Sequence, residues 1–269
     1  MHNVHKIGII GAGNMAQAIV GGILRGGLLE ASDIIISDVS SDRLALFAEM
    51  GVDTTSDNAL LSSQCQYLLF AVKPQSAPAI FEEIKHTVKA ERIMSIMAGI
   101  SLDTLQSAFG SRKYARIMPN TPALVGEGMA CIAFSDKAVD SFIIEIFKSV
   151  GKVAIVDESL FDAVTSLSGS GPAYVYAFIK ALIDGGMDGG LDFETSKALA
   201  LQTVTGAVKM IENSDKPISE LIDAVCSKGG TTIEAINSFK QDKLEDIVIS
   251  GMRKCRRRSE ELSGKHKRD

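Results

Sequence analysis

Membrane spans, metal-ligand clusters and catalytic histidines are all missing from this sequence. No uninterrupted apolar segment approaches the roughly 20 residues that cross a bilayer, so no membrane-spanning helix is expected. The four cysteines, Cys65, Cys131, Cys226 and Cys255, are widely spaced, with no C-x-x-C pair and no histidine cluster nearby. That pattern argues against a structural metal and against a disulfide framework. The four histidines, His2, His5, His86 and His266, lie near a terminus or in a polar stretch, and no Ser-His-Asp set is evident. A histidine general acid is therefore not expected. A formal net charge of -5 gives no general support for nucleic-acid binding. The opening MHNVHK leads straight into a strand with no charged-then-apolar leader, so a reducing cytoplasmic location is the default expectation.

What is present is an ordinary globular composition, 46% hydrophobic and 23% charged over 269 residues, enough for one or two domains. The stretch that organises the rest is KIGIIGAGNMAQAIVGGIL, Lys6 to Leu24. It reads as a buried strand, a tight glycine turn and a helix. The turn spells G-x-G-x-x-A at Gly11, Gly13 and Ala16. Gly11 permits the sharp turn, Gly13 lacks the Cβ that would block a pyrophosphate, and Ala16 lets the helix lie close to the strand. The helix start then offers unpaired N–H groups and a positive dipole end. A plain tight turn is the alternative, but a strand directly before and a helix directly after are the context that a dinucleotide site requires.

Further strands are expected at 33–37, 67–72, 92–97, 114–118, 129–135 and 152–156, alternating with helices such as 42–50 and one begun or capped by Asn58. This alternation predicts an α/β, Rossmann-like doubly wound sheet over residues 1–157. Asp38, at the end of the second strand, would bond the adenine ribose and repel a 2′-phosphate, whereas Ser37, Ser40, Ser41 and Arg43 crowd the same turn and would welcome one. The choice between NADH and NADPH stays open, and a polar turn with a serine helix cap explains these residues equally well. Ala71, Val72, Lys73 and Pro74, closing the 67–72 strand, should border a bound dinucleotide, although Lys73 also suits a solvated loop.

From Asp157 on only helical periodicity remains: 160–167, 173–185, 193–211, 218–225 and 232 to about 262. Residues 158–269 therefore read as an all-α domain. The stretch AYVYAFIKALI, Ala173 to Ile183, is apolar on nearly every face and must be surrounded by protein, either as a central helix or against a second copy of the chain. Ser227-Lys228-Gly229-Gly230-Thr231-Thr232 precedes a helix expected to begin near Ile233, and its amides and hydroxyls would form a nest for a small carboxylate. A flexible turn with a threonine cap is the bland alternative. A companion stretch, Ser168-Gly169-Ser170-Gly171-Pro172, interrupts the helical half at another helix start. With no histidine acid, the chemistry has to come largely from a cofactor, which suits hydride delivery to a charged C=N bond better than reduction of a plain ketone.

The segments GIIGAGNMA, AVKP, RIMPNTPALVGEGM, SGSGPAYVY and DAVCSKGGTTIEAI, in this order, resemble pyrroline-5-carboxylate reductase over about residues 4 to 262. The resemblance implies reduction of 1-pyrroline-5-carboxylate to L-proline by NADPH or NADH. It implies that Gly11, Ala12, Gly13, Asn14 and Met15 hold the pyrophosphate, Asp38 and Asn58 the adenosine end, and Ala71 to Pro74 with Ala98 the nicotinamide half. Ser170, Gly229, Gly230, Thr231 and Thr232 would bind substrate, with the Thr232 hydroxyl on the imine nitrogen as the catalytic group. It also implies a homodimer of interleaved helical domains, often assembled into rings, with a small molecule as the binding partner. Two positions depart from the family pattern: Lys228 stands at a common proline, and Asp38 at a position that is commonly neutral.

A 3-hydroxyacid dehydrogenase would need a lysine soon after a glycine turn on the interdomain helix, and Lys180 lies too far beyond Gly171. A cofactor-sensing module without turnover is the other rival. The basic run Arg253, Lys254, Arg256, Arg257, Arg258, Lys265, Lys267 and Arg268 reads as a solvated helix end that offsets the dipole, so no nucleic-acid partner is expected.

Overall fold

The computed structural model describes residues 5–136 and 139–263. Eight strands form one sheet: β1 (His5–Ile10), β2 (Ile34–Ser37), β3 (Asp53–Thr55), β4 (Cys65–Phe70), β5 (Arg92–Ser95), β6 (Lys113–Met118), β7 (Gly128–Phe134) and β8 (Gly151–Ile155). Their spatial order is β3-β2-β1-β4-β5-β6-β7-β8, parallel throughout except for the antiparallel β6–β7 pair. The chain runs outward from β1 to β3 and then returns past β1 to β4. The crevice beyond the carboxyl ends of β1 and β4 is thus the switch point where such sheets receive ligands.

The strands are isoleucine-rich because both faces are covered. On one face Ile7, Ile9, Ile34 and Ile36 pack with Ile19, Val20 and Ile23 of α1 (Asn14–Arg25) and Phe47 of α2 (Ser41–Glu49). On the other, Ile10, Leu68 and Phe70 meet Phe81 of α4 (Ala77–Ile84) and Phe109 of α5 (Leu102–Phe109). The Phe70 ring stands 5.0 Å from Phe81 and 5.6 Å from Phe109. Two short helices complete the layers, α3 (Asn58–Ser62) and α6 (Ser141–Lys148).

The expected strands are present with ends shifted by a few residues, and β4 stops at Phe70, leaving Val72 in the following loop. The added strand, β3, is three polar residues at the sheet edge, too short and too exposed to show apolar periodicity. The helical stretch expected at 160–167 is a single α-turn, α7 (Phe161–Val164), followed by a π-turn over Thr165–Gly169.

The chain divides into two compact units, one built on residues up to Ser170 with the chain from Cys255 on, the other on Gly171–Lys254. The first runs past Asp157 because Phe161 is fully buried in the sheet's second core. The helices are α8 (Gly171–Asp188), α9 (Phe193–Glu212), α10 (Ile218–Val225), α11 (Thr231–Gln241) and α12 (Leu244–Leu262). The single helix expected over 232–262 is broken: Lys243 takes a left-handed φ of 57°, which ends α11 and starts α12. Along α12, Arg256, Arg257 and Arg258 pair with Glu260 or Glu261 of the same helix. Lys265, Lys267, Arg268, His2 and His266 lie outside the described residues.

Candidate active site

The glycine loop is pinned at both sides. Gly11 donates its N–H to the Ser37 carbonyl (2.8 Å), and Ala71 donates to the Ile10 carbonyl (2.8 Å), so the loop is tied to the ends of β2 and β4. Gly11 has φ +105°, and a Cβ there would stand 2.6 Å from the Ala71 carbonyl oxygen. Gly13 differs: a Cβ on it would meet nothing within 4 Å, so its open side faces away from the protein. It caps α1 without any side-chain hydrogen bond, and the first turn holds no acidic residue. The amides of this helix start are therefore free for an anion. Ala16 is fully buried against the core.

Asp38 spends its carboxylate on backbone. One oxygen accepts the N–H of Ala12 (2.7 Å) and the other that of Ser40 (2.9 Å), which ties the turn after β2 to the glycine loop. Arg43 reaches across the same loop, donating Nε to the Ala12 carbonyl (2.6 Å) and Nη2 to Gln17 (3.1 Å). Ser40 caps α2, and Ser41 is its first residue. Ser37 is fully buried and its hydroxyl donates to Asn58 Oδ1 (2.7 Å), so it is closed to a 2′-phosphate. Asn58 also donates to Glu83 (3.0 Å); it begins α3, while Asp57 is the cap.

Ala71 to Pro74 follow β4, with Lys73 exposed and extended and Pro74 opening a 3-10 turn. Exposed Ala98 follows β5, next to Gly99 at φ +79°. The candidate cofactor residues thus all sit beyond the carboxyl ends of β3, β2, β1, β4 and β5, five neighbouring strands along one edge of the sheet.

Ser170 ends the π-turn, a local departure often found at functional positions. Its hydroxyl accepts from the Cys255 thiol (3.3 Å). Sequence reasoning passed over Asn120, whose side chain donates to the Ser168 carbonyl (3.1 Å) and accepts from Met129 N–H (2.8 Å), bracing the π-turn. It also passed over Arg116, 3% exposed, paired with Glu158 at 3.0 Å and stacked 4.6 Å from the Phe161 ring. Asn120 lies in the rigid Pro119-Asn120-Thr121-Pro122 run that ends the 114–118 strand, and nothing in the sequence signals Arg116.

In the helical unit, Gly229 turns at φ +72°, Gly230 donates to the Ser227 carbonyl (3.0 Å), and α11 begins at Thr231. Gly230 caps that helix with no side-chain bond, leaving the first amides uncommitted. Thr232 also lines a cleft of about 390 Å³ with Met210, Ile211, Val225, Cys226 and Ile236. Among the described residues no group of His, Cys, Asp and Glu could hold a metal ion, and no helix is long and apolar enough to cross a membrane.

Residues 158–262 match the family model described as pyrroline-5-carboxylate reductase dimerisation, and residues 6–99 match the one described as NADP oxidoreductase, coenzyme F420-dependent. The pyrroline-5-carboxylate reductase of Methanosarcina acetivorans is 38% identical over 97% of this chain and 98% of its own length. The chain belongs to the pyrroline-5-carboxylate reductase family. The pyrroline-5-carboxylate reductase of Pisum sativum is 36% identical over 96% of both chains. A crystal structure of Plasmodium falciparum pyrroline carboxylate reductase with NADP bound is 31% identical, aligns with a TM-score of 0.88, and covers 98% of this chain and 99% of that one. Membership in the reductase family therefore spans the glycine loop and the Gly-Gly-Thr-Thr loop alike. The helical match to a dimerisation family supports an oligomeric reductase acting on a small molecule.

Proposed function

We propose that this chain reduces 1-pyrroline-5-carboxylate to L-proline, the last step of proline biosynthesis, with NADPH or NADH as hydride donor. The observation that carries this reading is near-full-length similarity to pyrroline-5-carboxylate reductases. The cofactor fits the site: the space at Gly13 and the uncapped start of α1 suit a pyrophosphate. When bound, the nicotinamide supplies the hydride that the imine carbon accepts.

The chain's residues do the rest. The turn from Gly11 to Met15 holds the pyrophosphate through the amides of Gly13, Asn14 and Met15, since those of Gly11 and Ala12 are bonded to Ser37 and Asp38; Asp38 and Asn58 face the adenosine end, and Ala71 to Pro74 with Ala98 flank the nicotinamide half. Ser170, the Gly229-Gly230 turn and the amides of Thr231 and Thr232 orient the substrate carboxylate at the positive end of α11, the Gly230 amide itself being bonded to the Ser227 carbonyl. The Thr232 hydroxyl donates a hydrogen bond to the ring nitrogen and assists its protonation as the C=N bond is reduced. We place the nucleotide-binding domain at 1–157 and the dimerisation and substrate domain at 158–269; the start of the family match supports this boundary, whereas the compact units divide after Ser170 and before Cys255. We place the enzyme in the cytoplasm as a homodimer or ring of dimers; four free cysteines are consistent with a reducing compartment.

Steady-state rates with 1-pyrroline-5-carboxylate and each nicotinamide test this directly. Oxidation of a hydroxyacid with no turnover of proline at alkaline pH would overturn the assignment. Thr232→Ala should lower kcat about 10²-fold and leave cofactor affinity nearly unchanged. Unchanged turnover would remove Thr232 from the mechanism.

A further inference from the structure

The amino edge of the sheet, at the opposite end of its strands from the glycine loop, carries a cavity of about 850 Å³. It opens where β1, β4 and β5 begin, and its walls include Lys6, Gln66, Tyr67, Lys89, Glu91 and Arg92. Lys6 and Gly11 lie at opposite ends of β1, ~16 Å apart at the rise of a strand. A ligand here would not share the cofactor's edge.

The cations around this cavity outnumber its carboxylates. Arg92 is held from behind: its Nε donates to Asp140, whose carboxylate also accepts the Tyr67 hydroxyl (3.2 Å) and the Phe142 N–H (3.0 Å). Lys6 donates to the neutral Gln66 Oε1 (3.1 Å) and lies 5.2 Å and 5.1 Å from the ring centres of Tyr67 and Phe142. The Lys89 backbone is anchored to the Ser62 carbonyl (3.0 Å), while its exposed ammonium has no carboxylate partner among the described residues. Glu91, the only carboxylate among the described wall residues, stands 3.9 Å from Arg92 and is 87% exposed. Among the described residues two ammonium groups are thus left without a countercharge, in a chain whose net charge is -5. The half-exposed Leu60 adds an apolar wall, and the Tyr67 ring, buried against Phe142, backs the cations. The Cys65 thiol, also in the wall, is pushed up to about 12 by burial, so it offers no thiolate for covalent chemistry.

We propose that this cavity binds, noncovalently, a small phosphate-bearing anion with an apolar moiety. A phosphate monoester carries about -1.5 to -2 charges at neutral pH, enough to answer two ammonium groups where one carboxylate is not. The half-exposed side chain of Leu60 takes the apolar moiety, while Tyr67 holds Lys6 and Arg92 in place behind it. Calorimetric titration of the full chain saturated with NADP, which keeps the glycine loop filled, uses phenyl phosphate, inorganic phosphate and benzoate as probes. Phenyl phosphate should bind at least tenfold tighter than either other probe. Lys6→Gln combined with Lys89→Gln should weaken it at least tenfold and leave NADP affinity unchanged. Lys89→Glu alone, at an exposed position where a substitution costs little stability, should weaken it in the same sense. No heat with phenyl phosphate, equal binding of benzoate or inorganic phosphate, or binding indifferent to both variants would overturn the site.

Discussion

Gly11 and Gly13 stand two positions apart and answer to different constraints. Gly11 is held by the fold itself, since a Cβ would collide with the Ala71 carbonyl at a φ that side chains rarely adopt. Gly11→Ala should therefore lower stability by about 1–3 kcal/mol, read as a fall in Tm. Gly13→Ala should leave Tm within a degree or so of the parent, because nothing in the protein meets the new Cβ. It should still weaken NADPH binding at least tenfold, because the methyl group fills the space that a pyrophosphate needs. Equal cofactor affinity in Gly13→Ala would mean the phosphates lie elsewhere. The Asp38 carboxylate braces Ala12 and Ser40, and in the proposed site the same group sets the charge beside the ribose. Asp38→Ser should raise the NADPH to NADH ratio of kcat/KM and cost about 1–3 kcal/mol for the orphaned N–H groups. A ratio that does not move would show that the carboxylate does not face the ribose.

At the scale of elements, the break between α11 and α12 turns on one residue. Lys243 sits at φ 57°, where side chains other than glycine are uncomfortable and β-branched ones most of all. Chemical denaturation should rank Lys243→Gly at or above the parent, by up to about 1 kcal/mol, and Lys243→Val below it. The same position explains why sequence periodicity ran 232–262 together: the apolar spacing continues across the break, and lysine carries no turn signal. β3 escaped for the opposite reason, since Asp53-Thr54-Thr55 has no apolar face and is a strand only because β2 lies beside it. The π-turn at Thr165–Gly169 likewise depends on partners distant in sequence, Asn120 and Cys255, that no local window contains.

For the whole molecule, the helical unit leaves large apolar side chains uncovered. Tyr176 is 61% exposed, Leu199 55% and Met210 63%, and α8 buries no residue at all. Helices this apolar need protein around them. Sedimentation should find the parent as at least a dimer, and Tyr176→Glu with Phe178→Glu should dissociate it and abolish turnover together. A monomer with full activity would overturn the proposed assembly.

The sequence by itself determined the strand, glycine turn and helix at the start of the chain, the positions of most strands along it, and the glycine-threonine helix start. Each is a local demand, a backbone angle, an absent Cβ or an unpaired amide, that a few adjacent residues meet alone. Only the tertiary structure decided that Asp38 serves the backbone of Ala12, that buried Ser37 answers Asn58, and that Lys6, Lys89 and Arg92 share one cavity. Those relations join residues tens of positions apart, and they exist only once the parallel sheet has set β1 between β2 and β4.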